Sequence, residues 1–200
     1  MVLAQKSPSC ELHIWPTTQI GAVFHGANVG WNGYGAYVKG MTLTPMQSVE
    51  MRLRESIDPV AQTDAIASQD FSASERLRGY RLMFHEAPAK GNYDNWIQKD
   101  VGAGGRDSTS SSSCYAELHV IFITLFRTAI SKKIQTAFLY REFGASQSAT
   151  YRTVDVGSTG APAFDSNGEE KSAVATASVR AAFKENFNIF LRKKKMRPNN

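Results

Sequence analysis

The alternation of hydrophobic and polar residues along the chain predicts a set of β-strands. Residues 11–15 alternate with the two-residue period of a half-buried strand, which places Leu12 and Ile14 on one side. Residues 115–127 are apolar on both alternating sets of positions, which predicts a strand buried on both faces. Residues 134–143 repeat this pattern only six residues later, so the two strands should form an antiparallel hairpin. Shorter strands are predicted at 80–85 and 151–156.

Capping residues and helical spacing predict helices between and after these strands. The first begins at Thr44-Pro45-Met46-Gln47, which combines a capping box with a proline in the first turn. The second begins at Asp58-Pro59 and continues to about Ser68. The last follows the capping box Ser166-Asn167-Gly168-Glu169 and runs for about 25 residues. Its apolar stripe indicates a face that packs on the sheet and consists of Val179, Phe183, Phe187, Phe190 and Leu191.

The order of these elements predicts an α+β fold. We expect a mixed or antiparallel sheet with helices packed on it and a long C-terminal amphipathic helix. A single domain should cover residues 1–200. The irregular segments are expected to be a flexible start at 1–9, a glycine- and aromatic-rich loop at 21–40, a polar loop at 87–113 and a basic tail at 192–200.

Composition narrows the class of protein, and the location of the charges narrows it further. With 42% hydrophobic and 20% charged residues, the chain is a globular one rather than a disordered or repetitive one. The net charge of +5 comes from a cluster in the tail, because 18 basic and 18 acidic residues balance before it. Nucleic acid is therefore a disfavoured partner, because the rest of the chain carries no net charge. Only the tail cluster could make weak contacts with nucleic acid or another anionic surface. The cluster consists of Arg192, Lys193, Lys194, Lys195 and Arg197.

The two cysteines have similar surroundings, because Cys10 and Cys114 each come just before a strand that contains Glu-Leu-His. If those strands are neighbours, the two thiols can form a disulfide in an oxidising compartment. The alternative is a pair of ordinary thiols in an intracellular protein. Two cysteines are too few for a disulfide-stapled scaffold or a four-cysteine zinc site.

The same strands carry the chain's candidate metal ligands. If they pair, Glu11, His13, Glu117 and His119 converge on one face, and imidazole with carboxylate binds divalent metals. No His-Glu-x-x-His spacing is present, so surface positions on strands are the favoured interpretation and no cofactor is expected. A catalytic dyad is disfavoured as well, because His119 lies about 17 Å from Cys114 along an extended chain. No Gly-x-Ser-x-Gly motif is present either.

The glycine- and aromatic-rich segment presents the strongest candidate contact residues. Trp31, Tyr34 and Tyr37 are interleaved with glycines, and aromatic tips on a loop suit contacts with a protein or with membrane headgroups. Aromatic residues that cover the sheet's own core are the alternative.

The segment Cys10-Glu11-Leu12-His13-Ile14-Trp15-Pro16 resembles the start of a mature bacterial envelope lipoprotein. This resemblance implies a lipid on Cys10, whereas Ser7 departs from the aliphatic residue preferred before such a cysteine and no apolar signal region precedes it. The resemblance and the possible disulfide favour the periplasm or cell envelope over the cytoplasm. We expect a non-catalytic binding or assembly module whose partner is another protein or a membrane surface. A small metal-binding protein or enzyme is the alternative.

Overall fold

The computed structural model describes residues 10–24, 44–72, 74–88, 105–127, 131–161 and 172–193. These residues form an α+β fold, which confirms the predicted class. The strands are β1 (Cys10–Trp15), β2 (Ile20–Phe24), β3 (Tyr80–Phe84), β4 (Tyr115–Arg127), β5 (Lys132–Gly144) and β6 (Tyr151–Gly160). The helices are α1 (Thr44–Ser56), α2 (Pro59–Ala67) and α3 (Ser172–Arg192). None of the helices in these ranges is both long and apolar enough to cross a membrane.

The sheet is mixed, and β4 is its central strand. The order is β3-β1-β4-β5-β6, with β4 antiparallel to β5 and β5 antiparallel to β6. On its other side β4 takes two parallel partners in succession, β1 along 115–119 and β2 along 123–127. This is possible because β4 has 13 residues, more than twice the length of β2.

The connection between β1 and β2 is held by one buried glutamine of α2. The side chain of Gln62 accepts from the backbone N–H of Thr17 and donates to its carbonyl, at 2.8 Å in both cases. The Thr17 hydroxyl in turn donates to the carbonyl of Ile121 in β4 at 3.1 Å. Buried backbone groups that leave the sheet ladder need such partners, so Gln62 fixes the point where the chain passes from β1 to β2.

The hydrophobic core lies between the sheet and the helices. The ring of Phe138 from β5 packs against Phe183, Phe187 and Phe190 of α3, with ring centroids 5.4–6.1 Å apart. All four rings are buried, and burying each contributes about 1.5–3 kcal/mol. The apolar stripe predicted for the last helix is thus the face that packs on the sheet. At the start of α2, where a helix was predicted to begin, the Asp58 carboxylate caps the helix by accepting from the N–H of Ala61 at 2.7 Å.

One prediction needs correction, because the assignment of 21–40 to a loop is wrong at its beginning. Residues up to Phe24 belong to β2, which pairs with the end of β4. Gly21 has a low intrinsic preference for strands, but the parallel pairing and the burial of Ile20 and Ala22 outweigh it. Residues 25–40 lie outside the described part of the chain. The single domain over 1–200 stays a prediction.

A glycine in β6 allows α3 to approach the sheet closely. A Cβ atom at Gly157 would lie 2.7 Å from the Cβ and 2.9 Å from the Cα of Asn186. The buried Asn186 side chain uses this proximity, because it donates to the carbonyl of Ile134 at 2.9 Å and accepts from the Thr159 hydroxyl at 2.7 Å. The helix and the two strands are therefore joined by hydrogen bonds as well as by the core.

We predict that Gly157→Ala lowers the free energy of unfolding by about 2 kcal/mol, because the added methyl group overlaps the α3 backbone. Gly21→Ala is the matched control, since a Cβ there meets only the Glu50 carboxylate at 3.8 Å. Urea denaturation of both variants measures the difference. Equal stability of Gly157→Ala and the wild type would contradict the close packing of α3 on β6.

Candidate functional site

The parallel pairing of β1 with β4 gathers polar and aromatic side chains on the face of the sheet opposite the core. Alternate residues of the two strands are opposite one another in the register. The pairs are Glu11 with Tyr115, His13 with Glu117, and Trp15 with His119. The intervening residues, such as Leu12 and Leu118, belong to the core shared with the helices. We call the side chains of these three pairs, together with His85, Asp107 and Arg141, the polar face.

A disulfide closes one end of this face. Cys10 and Cys114 are bonded, with their Cα atoms 4.6 Å apart, and the Glu11 N–H donates to the Cys114 carbonyl at 2.8 Å. The bond joins the first residue of β1 to the residue just before β4, across 104 residues of chain. It uses the Cys10 sulfur, which is the atom that a lipid would need, so the two modifications exclude each other.

Three histidines and a tryptophan are stacked along the polar face. Trp15 lies between His85 and His119, nearly parallel to both, with centroid distances of 4.2 and 4.4 Å. His13 Nδ1 lies 2.7 Å from His85 Nε2, and His13 Nε2 lies 3.2 Å from the Glu11 carboxylate. The consistent assignment is that His13 donates to Glu11 and accepts from His85. Burial is the main cause that lowers the pKa of His85, and repulsion from the protonated forms of His13 and His119 adds to it.

The second part of the face centres on the fully buried carboxylate of Glu117. Its Oε1 accepts from the Tyr115 hydroxyl at 2.5 Å and from the Asp107 N–H at 2.6 Å. Its Oε2 accepts from Arg141, which also donates to the Asp107 carboxylate. Burial opposes ionisation, but hydrogen bonds from His119 and Tyr115 together with the charge of Arg141 outweigh it and lower the pKa of Glu117. This side chain is therefore an anion with several donors.

The loop before β4 is tied to the polar face. The Arg106 guanidinium lies over the Tyr115 ring at 4.5 Å and donates to the Gly144 carbonyl at 2.7 Å. The Ser110 hydroxyl donates to Glu11 at 2.5 Å. Of the predicted polar loop at 87–113, the described part from residue 105 onward is thus ordered by contacts with β1, β4 and the end of β5.

The structure brings the four predicted metal ligands to one face but not to one point. Glu11 and His13 contact each other, and Glu11 also bonds Arg81 at 2.6 Å. Glu117 and His119 instead form a group with Asp107 and Arg141. The aromatic rings of Tyr115 and Trp15 lie between the two groups.

Sequence reasoning missed Asp107, His85 and Arg141 as members of this face. Asp107 lies in a polar loop without any motif, and His85 lies one residue beyond β3. Of the three, only Arg141 could have been predicted from the sequence. The antiparallel β4–β5 hairpin, which the sequence does predict, places Arg141 opposite Glu117.

The other predicted contact residues lie elsewhere. Trp31, Tyr34 and Tyr37 lie outside the described residues. In the basic cluster, Lys193 binds Asp155 at 2.9 Å and Arg192 lies 3.4 Å from Glu185. The rest of the cluster, Lys194, Lys195 and Arg197, also lies outside the described residues.

Comparisons with known proteins add no functional assignment. No family model and no curated protein matches the chain. One similar solved structure is the hypothetical protein CT253 from Chlamydia trachomatis, with 8% identity, a TM-score of 0.31, and coverage of 90% of this chain and 95% of that one. Another is described only as an uncharacterized protein, with 6% identity, a TM-score of 0.27, and coverage of 90% and 96%. Similarity this low supports no inference about function.

The ion contacts of Glu11 predict a pH dependence of stability. Hydrogen bonds from Ser110 and His13, with Arg81 contributing, lower the pKa of Glu11 from 4.5 to about 2. A carboxyl group with a lowered pKa in the folded state stabilises the fold above the pKa of the unfolded chain. That contribution is lost as the pH falls through the lower value.

We therefore expect wild type to be more stable than Glu11→Gln at pH 7, with a difference that shrinks below about pH 4.5 and is mostly lost by about pH 2. Urea denaturation across this pH range measures it. Ser110→Ala removes the strongest donor to Glu11, so the pKa of Glu11 in the folded state should rise. The stabilisation by Glu11 should then be lost at a higher pH than in the wild type. A difference that is constant from pH 7 to pH 2 would contradict this role of Glu11.

Proposed function

We propose that the protein is a non-catalytic binding and assembly module that works in an oxidising compartment, with the bacterial cell envelope as the favoured location. The edge of the sheet at β6 is its assembly surface, and a second copy of the chain is the partner to which we commit. The observation that carries the assembly proposal is the pair of exposed valines on this long edge strand.

The disulfide supports the choice of compartment. Disulfides persist in secreted and periplasmic proteins and are rare in reducing cytoplasm. Because Cys10 is bonded to Cys114, a lipid on Cys10 is not part of this proposal. Association with an envelope would depend on protein contacts instead.

The edge strand β6 has the features of a surface that accepts another strand. It has ten residues without proline, and among the described strands it pairs only with β5. The side chains of Val154 and Val156 are 50% and 44% exposed. In the register they lie next to Leu139 and Ala137 of β5, which are themselves buried. A long edge of this kind is a template for β-strand pairing.

The sequence of β6 suits pairing with itself. Two copies aligned antiparallel about Asp155 would set Val154 of each strand against Val156 of the other, as a two-fold symmetric contact requires. At the centre of this contact Asp155 would lie opposite Asp155 of the second copy. The negative charge of each Asp155 is compensated within its own chain. Arg76 binds the Asp155 carboxylate at 2.6 Å and Lys193 binds it at 2.9 Å.

The state of the polar face supports a non-catalytic role. Its carboxylates are committed to neighbouring donors, Glu11 to Arg81 and Ser110, and Glu117 to Tyr115 and Arg141. A general base needs a carboxylate or imidazole that can reach a substrate proton. Carboxylates engaged in this way stabilise the fold and are poor general bases, although an oxygen that accepts one hydrogen bond keeps a second lone pair.

The tail remains the basis of the nucleic-acid alternative. Of its five cations, Arg192 and Lys193 already have acidic partners within the fold. This reduces the charge that the tail can offer to phosphates, and we therefore prefer assembly through β6.

We predict that the double variant Val154→Lys/Val156→Lys is monomeric at protein concentrations where the wild type is a dimer. Lysine on an edge strand opposes strand addition, because pairing would bring like charges together. Sedimentation equilibrium between about 1 and 100 μM measures the change, a range set by typical affinities of moderate interfaces.

Val60→Lys is the matched control for this experiment. Val60 is 66% exposed on α2, far along the chain from β6, so this variant should dimerise like the wild type. Circular dichroism verifies that all variants are folded. A monomeric wild type over the whole range, or a dimer that survives the double substitution, would contradict the assembly proposal.

A further inference from the structure

Three side chains with metal-binding atoms meet next to Arg141. His119 Nε2 lies 3.3 Å from Asp107 Oδ2 and 3.5 Å from Glu117 Oε2. Both distances exceed the ~2.7–2.9 Å of a charge-assisted hydrogen bond. They match the ~3.4 Å that separates two ligand atoms placed tetrahedrally at about 2.1 Å from a zinc-sized ion. The spacing therefore also suits an ion bound between these atoms, which would take the place of the long hydrogen bond from His119 to Glu117.

The surrounding structure fixes the orientation of two of the three groups. Tyr115 and the Asp107 N–H occupy Oε1 of Glu117, so Oε2 is the oxygen turned toward His119. The His119 ring is held by its stack on Trp15, with only 4° between the ring planes. Metal ligands are commonly oriented by such outer contacts.

A metal ion at this position would compete with Arg141 for the two carboxylates. Arg141 donates to Asp107 Oδ2 and to Glu117 Oε2, the same oxygens that face His119. Each carboxylate oxygen has two lone pairs, so it can accept from Arg141 and still bind an ion on its other side. The nearby positive charge lowers affinity, which leads us to expect a moderate site rather than a tight structural one.

We propose that Asp107, Glu117 and His119 form a binding site for one divalent first-row transition-metal ion, with Arg141 bonded to the same carboxylates around it. One imidazole and two carboxylates suit Zn²⁺ or Mn²⁺, whereas Mg²⁺ and Ca²⁺ favour oxygen ligands alone. The Asp107 side chain is 31% exposed, which gives an ion access from solvent. The site corrects the ligand set expected from sequence, since Asp107 takes the place of Glu11 and His13. It does not depend on assembly through β6.

The test is zinc binding to the full chain, prepared without a histidine tag, with its disulfide intact and stripped of metal by a chelator. Competition with a chromogenic chelator gives stoichiometry and affinity. We expect one equivalent for the wild type and an affinity at least roughly tenfold lower for Asp107→Asn and for His119→Gln, since each variant removes a ligand.

Asp70→Asn is the matched control. Asp70 lies outside the polar face, in a turn where it accepts from Ser72. This variant should bind zinc like the wild type. Zinc should also raise the melting temperature of the wild type but not that of Asp107→Asn, because only a ligand bound to the folded state stabilises it.

A measurement on the wild type alone guards against variants that fail to fold. Co²⁺ should shift the imidazole proton resonances of His119 far more than those of His13. Substoichiometric zinc in the wild type, or unchanged affinity in Asp107→Asn, would overturn the proposal. Co²⁺ shifts centred on His13 would also overturn it by assigning the ion to the His13–His85 pair.

Discussion

The parallel pairing of β1 with β4 is the constraint on which the rest of the structure depends. It places two short Glu-Leu-His segments side by side with an offset of two residues, so that His13 lies opposite Glu117 and Trp15 opposite His119. The same pairing brings Cys10 to Cys114, and it leaves the second half of β4 free to accept β2. A shift of one residue would move every side chain of β1 to the other face of the sheet. Glu11 and His13 would then enter the core beneath the helices, where nothing compensates their polarity.

The polar face gives this pairing its specificity at an energetic cost. Burying Glu117 and Arg141 requires both to lose water, and such a pair stabilises little compared with well-packed apolar residues. A misaligned register of β4 with β5 is penalised far more strongly, because it would leave a buried charge without its partner. For β1, the Trp15 stack on His119 and the Ser110 hydrogen bond to Glu11 favour the observed alignment. The disulfide then adds a covalent link where the loop enters β4.

Much of the fold was predictable because it follows from local patterns. The apolar positions of β4 and β5, the Asp58 cap of α2 and the phenylalanine stripe of α3 each follow from residues close together in sequence. The strand at Gly21 was missed because its stability comes from pairing with residue 124, a hundred positions away. The polar face was only half predictable for the same reason. Similar contexts around Cys10 and Cys114 hinted that the strands are neighbours, but nothing local marks Asp107 or His85 as their companions.

The central claim is that β1 and β4 are neighbours joined by a disulfide in an oxidising compartment, and peptide mapping tests it directly. The protein would be purified from cells that express it naturally, with free thiols blocked at lysis, and digested without reduction. Mass spectrometry should find the Cys10 and Cys114 peptides linked to each other and separated by reduction. Two blocked thiols, or a lipid on Cys10, would contradict the account.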